Sequence, residues 1–190
     1  MNGAVPGADG VLRCPWGIAP EIYTDYHDHE WGRPVHDDVA LFERISLEAF
    51  QSGLSWLTIL RKREAFRAAF AGFDPMVVAH FDAGDEARLL GDAGIVRNRA
   101  KIGATVANAR AVLALDRPLG ELLWSFAPSS PGPPPRTLAD IPAKTPESVA
   151  MTKELRRRGF RFVGPTTAYA LMQASGMVND HLAECAFRAG

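Results

Sequence analysis

The hydrophobic residues of this chain recur mostly at the spacing of helices, and the two-residue alternation of strands is scarce. The clearest case runs through Leu41, Phe42, Ile45, Ala49 and Phe50. A helix that is apolar over so much of its girth is usually buried in a core. Proline, glycine and capping residues divide the rest of the chain into similar segments. The pattern therefore predicts an all-α fold.

The same signals predict where the helices begin and end. The predicted helices cover residues 20–26, Asp37 or Asp38 to Gly53, 56–70, 75–81, 85–93, 97–115, 118–126, 146–158 and 166–175. The prolines of residues 128–135 predict an irregular surface loop. The small, Gly-rich residues 1–12 predict a disordered tail, since they lack the basic and apolar parts of a signal peptide. Residues 13–190 are long enough for a single helical domain.

Composition and charge exclude some classes of protein. No apolar run in the 190 residues is long enough to span a bilayer, which predicts a cytoplasmic protein. A net charge of −1 argues against a protein that coats nucleic acid without specificity. Cations nevertheless cluster in three places, namely residues 61–67, 97–101 and 153–161. Each cluster is either a solvated helix face or part of a phosphate-binding surface.

Glu48 is a candidate for chemistry because it interrupts the most apolar helix. It lies between Leu47 and Ala49, close to the predicted buried face. Burying a carboxylate without a partner is costly, so the group should be paired, neutralised or used in function. The alternative is an ordinary ion pair with Arg44, four residues earlier on the same helix.

Two cysteines and two histidines suggest a metal site. Cys14 lies upstream of His27, and His181 lies four residues before Cys185, where a helix would turn both side chains the same way. Two thiolates and two imidazoles form the closed tetrahedral ligand set of a structural zinc ion. Such an ion would join the two ends of the chain without taking part in catalysis. The alternatives are two buried free thiols or a disulfide, which a reducing cytosol disfavours.

Residues 85–114 suggest a helical hairpin that can bind DNA. A helix ends near Gly94, a short turn follows, and a second helix begins near Arg97, Arg99 and Lys101. The exposed amides and the dipole of a helix N-terminus suit a DNA phosphate. This is the pattern of a helix-hairpin-helix element, although an ordinary pair of antiparallel helices has the same local signal.

The first half of the chain is rich in aromatic residues beside turns and polar residues, namely Trp16, Tyr23, Tyr26, Trp31 and Trp56. Core packing is the default explanation for aromatic residues. A pocket for a flipped, electron-poor base would also need aromatic rings together with one carboxylate.

Several short motifs occur together in an order and spacing that resemble the 3-methyladenine DNA glycosylase I family. They are Cys14-Pro15-Trp16, Tyr26-His27-Asp28-His29-Glu30-Trp31-Gly32, Leu47-Glu48, Gly53-Leu54-Ser55-Trp56, Asp92-Ala93-Gly94-Ile95, residues 157–164 and Asn179-Asp180-His181. Each motif is modest, but the joint resemblance covers residues 14–185, nearly the whole chain. It implies a helix-hairpin-helix DNA glycosylase fold with a structural zinc ion.

The resemblance also implies roles for individual residues. The zinc ligands would be Cys14, His27, His181 and Cys185. Glu48 and Tyr26 would hydrogen-bond the damaged base, and Trp56 would stack on it. Trp16, Tyr23 and Trp31 would line the wall of the pocket. Gly53 and Leu54 would enter the gap that the flipped base leaves, and Gly94, Arg97, Arg99 and Lys101 would contact the DNA backbone.

The expected activity is hydrolytic release of 3-methyladenine from alkylated double-stranded DNA by a monomeric enzyme, without strand cleavage. The expected partners are alkylated duplex DNA and free 3-methyladenine as product, with no membrane. Two alternatives remain open. The chain could be a non-enzymatic, zinc-stabilised DNA-binding module, which would need no Glu48. It could also hydrolyse free nucleosides, which would leave the hairpin without a function.

Overall fold

The structure is a computed structural model and describes residues 3–188 of the chain. Within that range it contains nine α-helices and one short two-stranded ribbon, which confirms the all-α prediction. The α-helices are α1 (Glu21–His29), α2 (Asp38–Gln51), α3 (Trp56–Ala69), α4 (Pro75–Val78), α5 (Ala83–Gly91), α6 (Arg99–Leu113), α7 (Leu119–Trp124), α8 (Pro146–Arg157) and α9 (Pro165–Ala174). No helix in the described range is long and apolar enough to cross a membrane.

Side-chain caps fix the helix boundaries close to where the sequence placed them. Asp37 accepts a hydrogen bond from the amide of Ala40 at the start of α2, and Ser55 accepts one from Thr58 at the start of α3. Asn98 opens α6 in the same way. Each cap satisfies an amide that has no partner within the helix. The sequence therefore determines these boundaries locally.

Helix α2 lies at the centre of the molecule and contacts α3, α6, α7 and α9. Its residues from Leu41 to Phe50 are buried except for Glu43 and Arg44. Aromatic side chains from α2, α3 and the turn after α3 fill the core around it, among them Phe42, Phe50, Phe66, Phe70 and Phe73, all 0% exposed. Burying each such side chain stabilises the fold by roughly 1.5–3 kcal/mol. Glu48 is thus carried by the central, largely buried helix of the fold.

The N-terminal segment differs from its prediction. Residues 1–12 were expected to be disordered, whereas β1 (Val5–Pro6) pairs antiparallel with β2 (Leu12–Arg13). Residues 1 and 2 lie outside the described range. The carbonyl of Leu12 accepts a hydrogen bond from the amide of Ala186, and the guanidinium of Arg13 bonds the carboxylate of Asp28. These partners are distant in sequence, so local composition could not reveal them.

The proline-rich segment 128–135 contains no helix or strand, in agreement with the prediction of an irregular loop. It leads into a short 3₁₀ turn, Leu138–Asp140. Because this turn packs near Cys14 and Leu182, the loop brings the chain back toward the N-terminal segment.

Candidate active site and metal centre

A cavity of about 400 Å³ opens between the N-terminal aromatic residues, α2, α3 and α9. Its lining consists of Trp16, Tyr23, Tyr26, Trp31, Glu48, Gln51, Trp56, Leu138, Ile141, Ala170 and Gln173. The structure therefore brings together the carboxylate and all five aromatic residues that the sequence singled out. The cavity is within the size range of ligand-binding pockets and is mostly apolar, with a few polar groups.

The aromatic rings pack against one another, and Trp56 also packs against the main core. Trp16 meets Trp31 edge-to-face with ring centroids 4.9 Å apart, and it meets Tyr23 in the same way at 5.9 Å. Tyr26 and Trp56 pack at 5.6 Å with their rings tilted by 51°. Such pairs add stability beyond the area that they bury. The result is a preformed aromatic wall.

Glu48 is the carboxylate of the cavity, and its side chain is not satisfied by the protein. The residue is only 4% exposed, and its Oε2 is buried without a hydrogen-bond partner. Burial raises the pKa of Glu48 to about 8, and the charge of Arg44 opposes that rise only in part. Unpaired buried groups with shifted pKa values are concentrated at functional sites. Glu48 is therefore the strongest candidate for chemistry.

The alternative explanation of Glu48, an ion pair with Arg44, is not what the structure shows. Among the described residues no salt bridge joins the two side chains, and Nη1 of Arg44 instead donates to the carbonyl of Ala174 at 2.6 Å. This bond connects α2 to the end of α9. The guanidinium thus affects Glu48 only through its charge.

A smaller cavity of about 70 Å³ lies on another side of Glu48 and also borders Tyr26 and Trp56. Of the three arginines around it, Arg63 bonds both carboxylate oxygens of Glu30 at 2.7 Å, Arg67 bonds Glu43, and Arg44 donates to the carbonyl of Ala174. Nε1 of Trp56 is buried without a hydrogen-bond partner, like Oε2 of Glu48. Burial and the nearby Glu48 raise the pKa of Tyr26, so its hydroxyl stays protonated and can donate. This cavity is thus bordered by two available donors, the hydroxyl of Tyr26 and Nε1 of Trp56, and by one carboxylate, Glu48.

The four predicted metal ligands converge in a second buried site. The ligand atoms of Cys14, His27, His181 and Cys185 all lie within 4.8 Å of one another, and the four residues are buried. Sγ of Cys185 is 3.6 Å from Nε2 of His27 and 3.5 Å from Nδ1 of His181. A tetrahedral ion with bonds of ~2.0–2.3 Å separates its ligand atoms by roughly 3.3–3.8 Å. The cluster can therefore bind a metal ion, and its four ligands leave no open position.

The surroundings of the cluster also fit a metal. His27 bonds Oδ1 of Asp28 at 2.7 Å through Nδ1, and His181 donates from Nε2 to the carbonyl of Trp31 at 3.1 Å. Metal-binding histidines usually have such a partner on the second ring nitrogen, which fixes the orientation of the ring. The hydrogen bond between the two thiols lowers the pKa of Cys185 and raises that of Cys14, and the two histidines add to the lowering at Cys185. One thiol of the pair thus favours the thiolate, the form that binds metal.

The route by which His181 and Cys185 converge differs from the prediction. The sequence placed them on one helix, whereas the chain beyond α9 folds as a series of turns. The amide of Cys185 donates to the carbonyl of Leu182, and the amide of Leu182 donates to Sγ of Cys14 at 3.4 Å. A turn, like a helix, can bring two residues four positions apart to the same side of the chain. The spacing of His181 and Cys185 was therefore informative, although the predicted helix was wrong.

The hairpin predicted near residues 85–114 consists of α5, a turn and α6. The amide of Gly94 in the turn donates to Oδ1 of Asp92 at 2.7 Å. Arg97 and Arg99 are exposed, as a DNA-contacting role requires. Two helices joined by this turn are compatible with a helix-hairpin-helix element.

Lys101 differs from its prediction as a surface cation. It is 6% exposed, and its ammonium donates to the carbonyls of Phe50 at 2.8 Å and Ser52 at 2.6 Å. Burial lowers its pKa. The ammonium thus binds the C-terminal carbonyls of α2, which lack partners within the helix, and it is not available to a phosphate. The sequence could not show this because the partners lie about fifty residues away.

The predicted DNA-inserting residues follow directly after α2. Gly53 has a φ of +81°, a conformation that glycine adopts without strain. This turn projects Leu54, which is 41% exposed. The loop therefore presents an apolar side chain to solvent a few residues beyond Glu48.

Sequence reasoning missed part of the cavity lining, namely Gln51, Leu138, Ile141, Ala170 and Gln173. Gln51 could have been found, because it follows Glu48 by three residues on the same helix face. The other four come from segments far along the chain, and nothing local indicated that they would reach the N-terminal aromatic residues.

Comparisons with known proteins agree with this geometry. Residues 16–189 match the model of the methyladenine glycosylase family. The chain is 48% identical to DNA-3-methyladenine glycosylase 1 of Escherichia coli (strain K12), covering 91% of this chain and 95% of that protein. It is 46% identical to DNA-3-methyladenine glycosylase of Haemophilus influenzae, covering 92% and 97%. The chain belongs to the methyladenine glycosylase family of DNA glycosylases.

A solved structure supports the same conclusion. The chain superposes with a TM-score of 0.89 on 3-methyladenine DNA glycosylase I from Staphylococcus aureus, solved to explain how that protein recognises 3-methyladenine. The two chains are 35% identical, and the match covers 94% of this chain and 97% of the other.

Proposed function

We propose that this protein is a monofunctional DNA glycosylase that releases 3-methyladenine from alkylated duplex DNA by hydrolysis. One observation carries the proposal: a single buried carboxylate without a hydrogen-bond partner lies in a cavity walled by aromatic rings. The relatives named DNA-3-methyladenine glycosylase support the choice of substrate. A base inside a duplex is out of reach, so the nucleotide must first be extruded into the cavity.

The cavity suits a cationic base. Methylation at N3 gives an adenine in DNA a positive charge, which stacks favourably on aromatic faces such as that of Trp56. The same charge would lower the pKa of Glu48, because an opposite charge favours the ionised carboxyl. A neutral adenine offers no such compensation for the buried carboxylate. Selectivity thus arises from pairing the charge of the lesion with Glu48.

In the chemical step the glycosidic bond breaks, and its electron pair moves onto the base and cancels the positive charge there. The sugar becomes an oxocarbenium-like cation, and a water molecule adds to it and loses a proton. Ionised Glu48 accepts a hydrogen bond from the amino group of the base and stabilises the cationic sugar, while Tyr26 makes the second contact. Only the part of this stabilisation that exceeds the ground-state interaction accelerates the reaction. The base is a good leaving group, so no strong acid is needed.

The proposal contains no covalent enzyme intermediate and no strand cleavage. A Schiff base requires an amine, and the lining of the cavity includes no lysine among the described residues. Lys101 of α6 is a buried amine beside the end of α2, and its ammonium already binds two carbonyls.

We propose that the metal bound by Cys14, His27, His181 and Cys185 is zinc. Two thiolates and two imidazoles are a ligand set that zinc prefers, and the ion would join the two ends of the chain. We place the activity in the cytoplasm, where the two thiols would stay reduced and able to bind metal. We further propose that the protein acts as a monomer.

On the DNA side, we propose that Leu54 fills the space left by the extruded nucleotide and that Gly53 permits the turn that presents it. The side chains of Arg97 and Arg99 would bind backbone phosphates at the hairpin, and Gly94, whose amide donates to Asp92, would shape the turn between the two helices. Phosphate contacts of this kind fix the position of a protein on DNA without reading its sequence.

The test is to incubate the protein with methylated duplex DNA and to identify the released bases by chromatography. The expected result is free 3-methyladenine, with 7-methylguanine left in the DNA. Glu48→Gln serves as the matched control because it keeps the shape of the side chain and removes the charge. Duplex binding with no base released by the folded, zinc-loaded protein would contradict the proposal and favour a non-enzymatic DNA-binding module. Activity on methylated nucleosides alone would favour the nucleoside hydrolase.

A further inference from the structure

The segment between α8 and α9 contains an exposed aromatic residue in an unusual backbone conformation. Phe162 has a φ of +55° and is 43% exposed. A positive φ is a strained conformation for a bulky residue. Phe73 also has a positive φ, of 58°, but it is 0% exposed and its core contacts offset the strain. Phe162 has no comparable burial, and strained residues of this kind tend to occur at functional sites.

The backbone on both sides of Phe162 is held firmly. Asn108 of α6 accepts a hydrogen bond from the amide of Arg161 at 2.7 Å and donates to the carbonyl of the same residue at 3.1 Å. Asn108 is 1% exposed. On the other side, Nε of Arg156 donates to the carbonyl of Val163 at 2.8 Å. The exposure of Phe162 is therefore a fixed feature of the fold.

Helix α6 also holds the loop that carries Leu54. Lys101, which donates to the carbonyls of Phe50 and Ser52, lies seven residues before Asn108 and thus on the same face of α6. One helix of the hairpin therefore positions two exposed apolar side chains, Leu54 and Phe162, through two buried polar contacts.

The two exposed side chains belong to neighbouring surfaces. Phe162 and Ser52 line the same surface groove, at the N-terminus of α9. Phe162 also borders a narrow gap against Glu48. The groove contains the cation Arg156 and no carboxylate among its described lining residues, and Arg161 beside it is exposed. This charge distribution favours a polyanion such as DNA.

We propose that Phe162 is a second DNA-contacting residue, which stacks on a base next to the extruded nucleotide while Leu54 fills the vacated space. Extrusion breaks the stacking of the neighbouring bases, and an aromatic side chain can replace that stacking. The inference rests on the proposed function, since such stacking matters only when a nucleotide leaves the duplex.

The test compares Phe162→Asn and Phe162→Trp with the wild type in single-turnover excision of 3-methyladenine from duplex DNA. Asparagine tolerates a positive φ, so the free energy of unfolding should stay unchanged or rise, whereas the excision rate at subsaturating protein should fall about tenfold. Phe162→Trp should retain at least a third of the wild-type excision rate, because the tryptophan ring can also stack. Binding of free 3-methyladenine, followed by tryptophan fluorescence, should be unchanged in the asparagine variant.

A fluorescent base analogue placed beside the lesion gives an independent measure of the contact. Its fluorescence should change when the wild type binds, and the change should be smaller with Phe162→Asn. Met76→Ala, which removes another exposed apolar side chain on α4, should behave as the wild type. Wild-type excision by Phe162→Asn would overturn the inference and leave the proposed function intact, as would a loss of rate explained by lost stability. Failure of the wild type itself to release base would overturn both.

Discussion

The metal cluster and the base cavity are neighbouring buried sites that differ in whether their polar atoms have hydrogen-bond partners. In the cluster, each histidine has a partner on its second ring nitrogen, Asp28 for His27 and the carbonyl of Trp31 for His181. In the cavity, Oε2 of Glu48 and Nε1 of Trp56 have no hydrogen-bond partner. The comparison indicates that the cluster stabilises the fold, whereas the cavity keeps unsatisfied groups for a ligand.

The largest expected effect is the loss of the metal cluster. Cys185→Ser should release the metal and lower the free energy of unfolding by about 3–5 kcal/mol, because it removes a ligand and leaves the other three unsaturated. Metal analysis and thermal denaturation measure the two effects. A chelator should destabilise the wild type and leave this variant unchanged. An unchanged metal content in the variant would contradict the assignment of the cluster.

A substitution in the cavity should lower activity and raise stability, whereas a substitution in the metal cluster lowers stability. Glu48→Gln should lower the single-turnover excision rate by about 10²–10³-fold, a loss typical of removing one electrostatic contact to a transition state. The same change should raise the free energy of unfolding at pH 9 by about 1–3 kcal/mol, because it removes a buried charge. A variant that is both slower and less stable would show that Glu48 supports the fold.

The pH dependence tests the state of Glu48 directly. Its pKa is raised from 4.5 to about 8 by burial. The ionised form that the proposed reaction uses therefore increases above neutrality, and excision at subsaturating protein should rise from pH 6 to pH 9. The free energy of unfolding should change in the opposite sense. The stabilising contribution of Glu48 to it is fully present below pH 4.5 and is lost as the pH rises through 8. Glu48→Gln should show neither trend, and a flat rate profile in the wild type would contradict the role.

A smaller effect should follow from the outer layer of the metal cluster. Asp28 hydrogen-bonds both His27 and the guanidinium of Arg13, which keep its pKa low although burial acts to raise it. Asp28→Asn should weaken metal affinity by about 10–100-fold without abolishing binding. Competition with a metal indicator measures this. Asp25→Asn, on an exposed part of α1, is the control and should have no effect.

The smallest expected effect concerns stacking in the cavity. Trp56→Phe keeps an aromatic face but reduces its area, and it removes the unpartnered Nε1. The affinity for free 3-methyladenine should fall about 3–10-fold, with the free energy of unfolding nearly unchanged. Isothermal titration with the free base checks this value. A loss of affinity as large as that of Trp56→Ala would show that the indole nitrogen, rather than stacking, dominates the contact.

Local chemistry explains why much of the fold could be predicted. Asp37, Ser55 and Asn98 cap helices through contacts within three residues, so the sequence alone locates those boundaries. The four metal ligands were predicted because the chain has only two cysteines, each with a histidine nearby in sequence, and because the family resemblance implies the same four residues. The prediction of Glu48 followed from a charge on an apolar helix.

The features that were missed depend on contacts between distant segments. Lys101 looked like a surface cation until its partners at the end of α2 were known. The ribbon at residues 5–13 depends on Asp28 and Ala186. The lining from α9 likewise has no local signal, because only the packing of α9 against α2 brings Ala170 and Gln173 to the cavity.

The position of the metal ligands along the chain has a consequence for protein synthesis. Cys14 and His27 leave the ribosome early, whereas His181 and Cys185 are among the last described residues to be made. Trp16 and Trp31, which line the cavity, each pack against a histidine of the cluster. The cluster, and the contact of Trp31 with His181, therefore cannot form until the last two ligands have been synthesised.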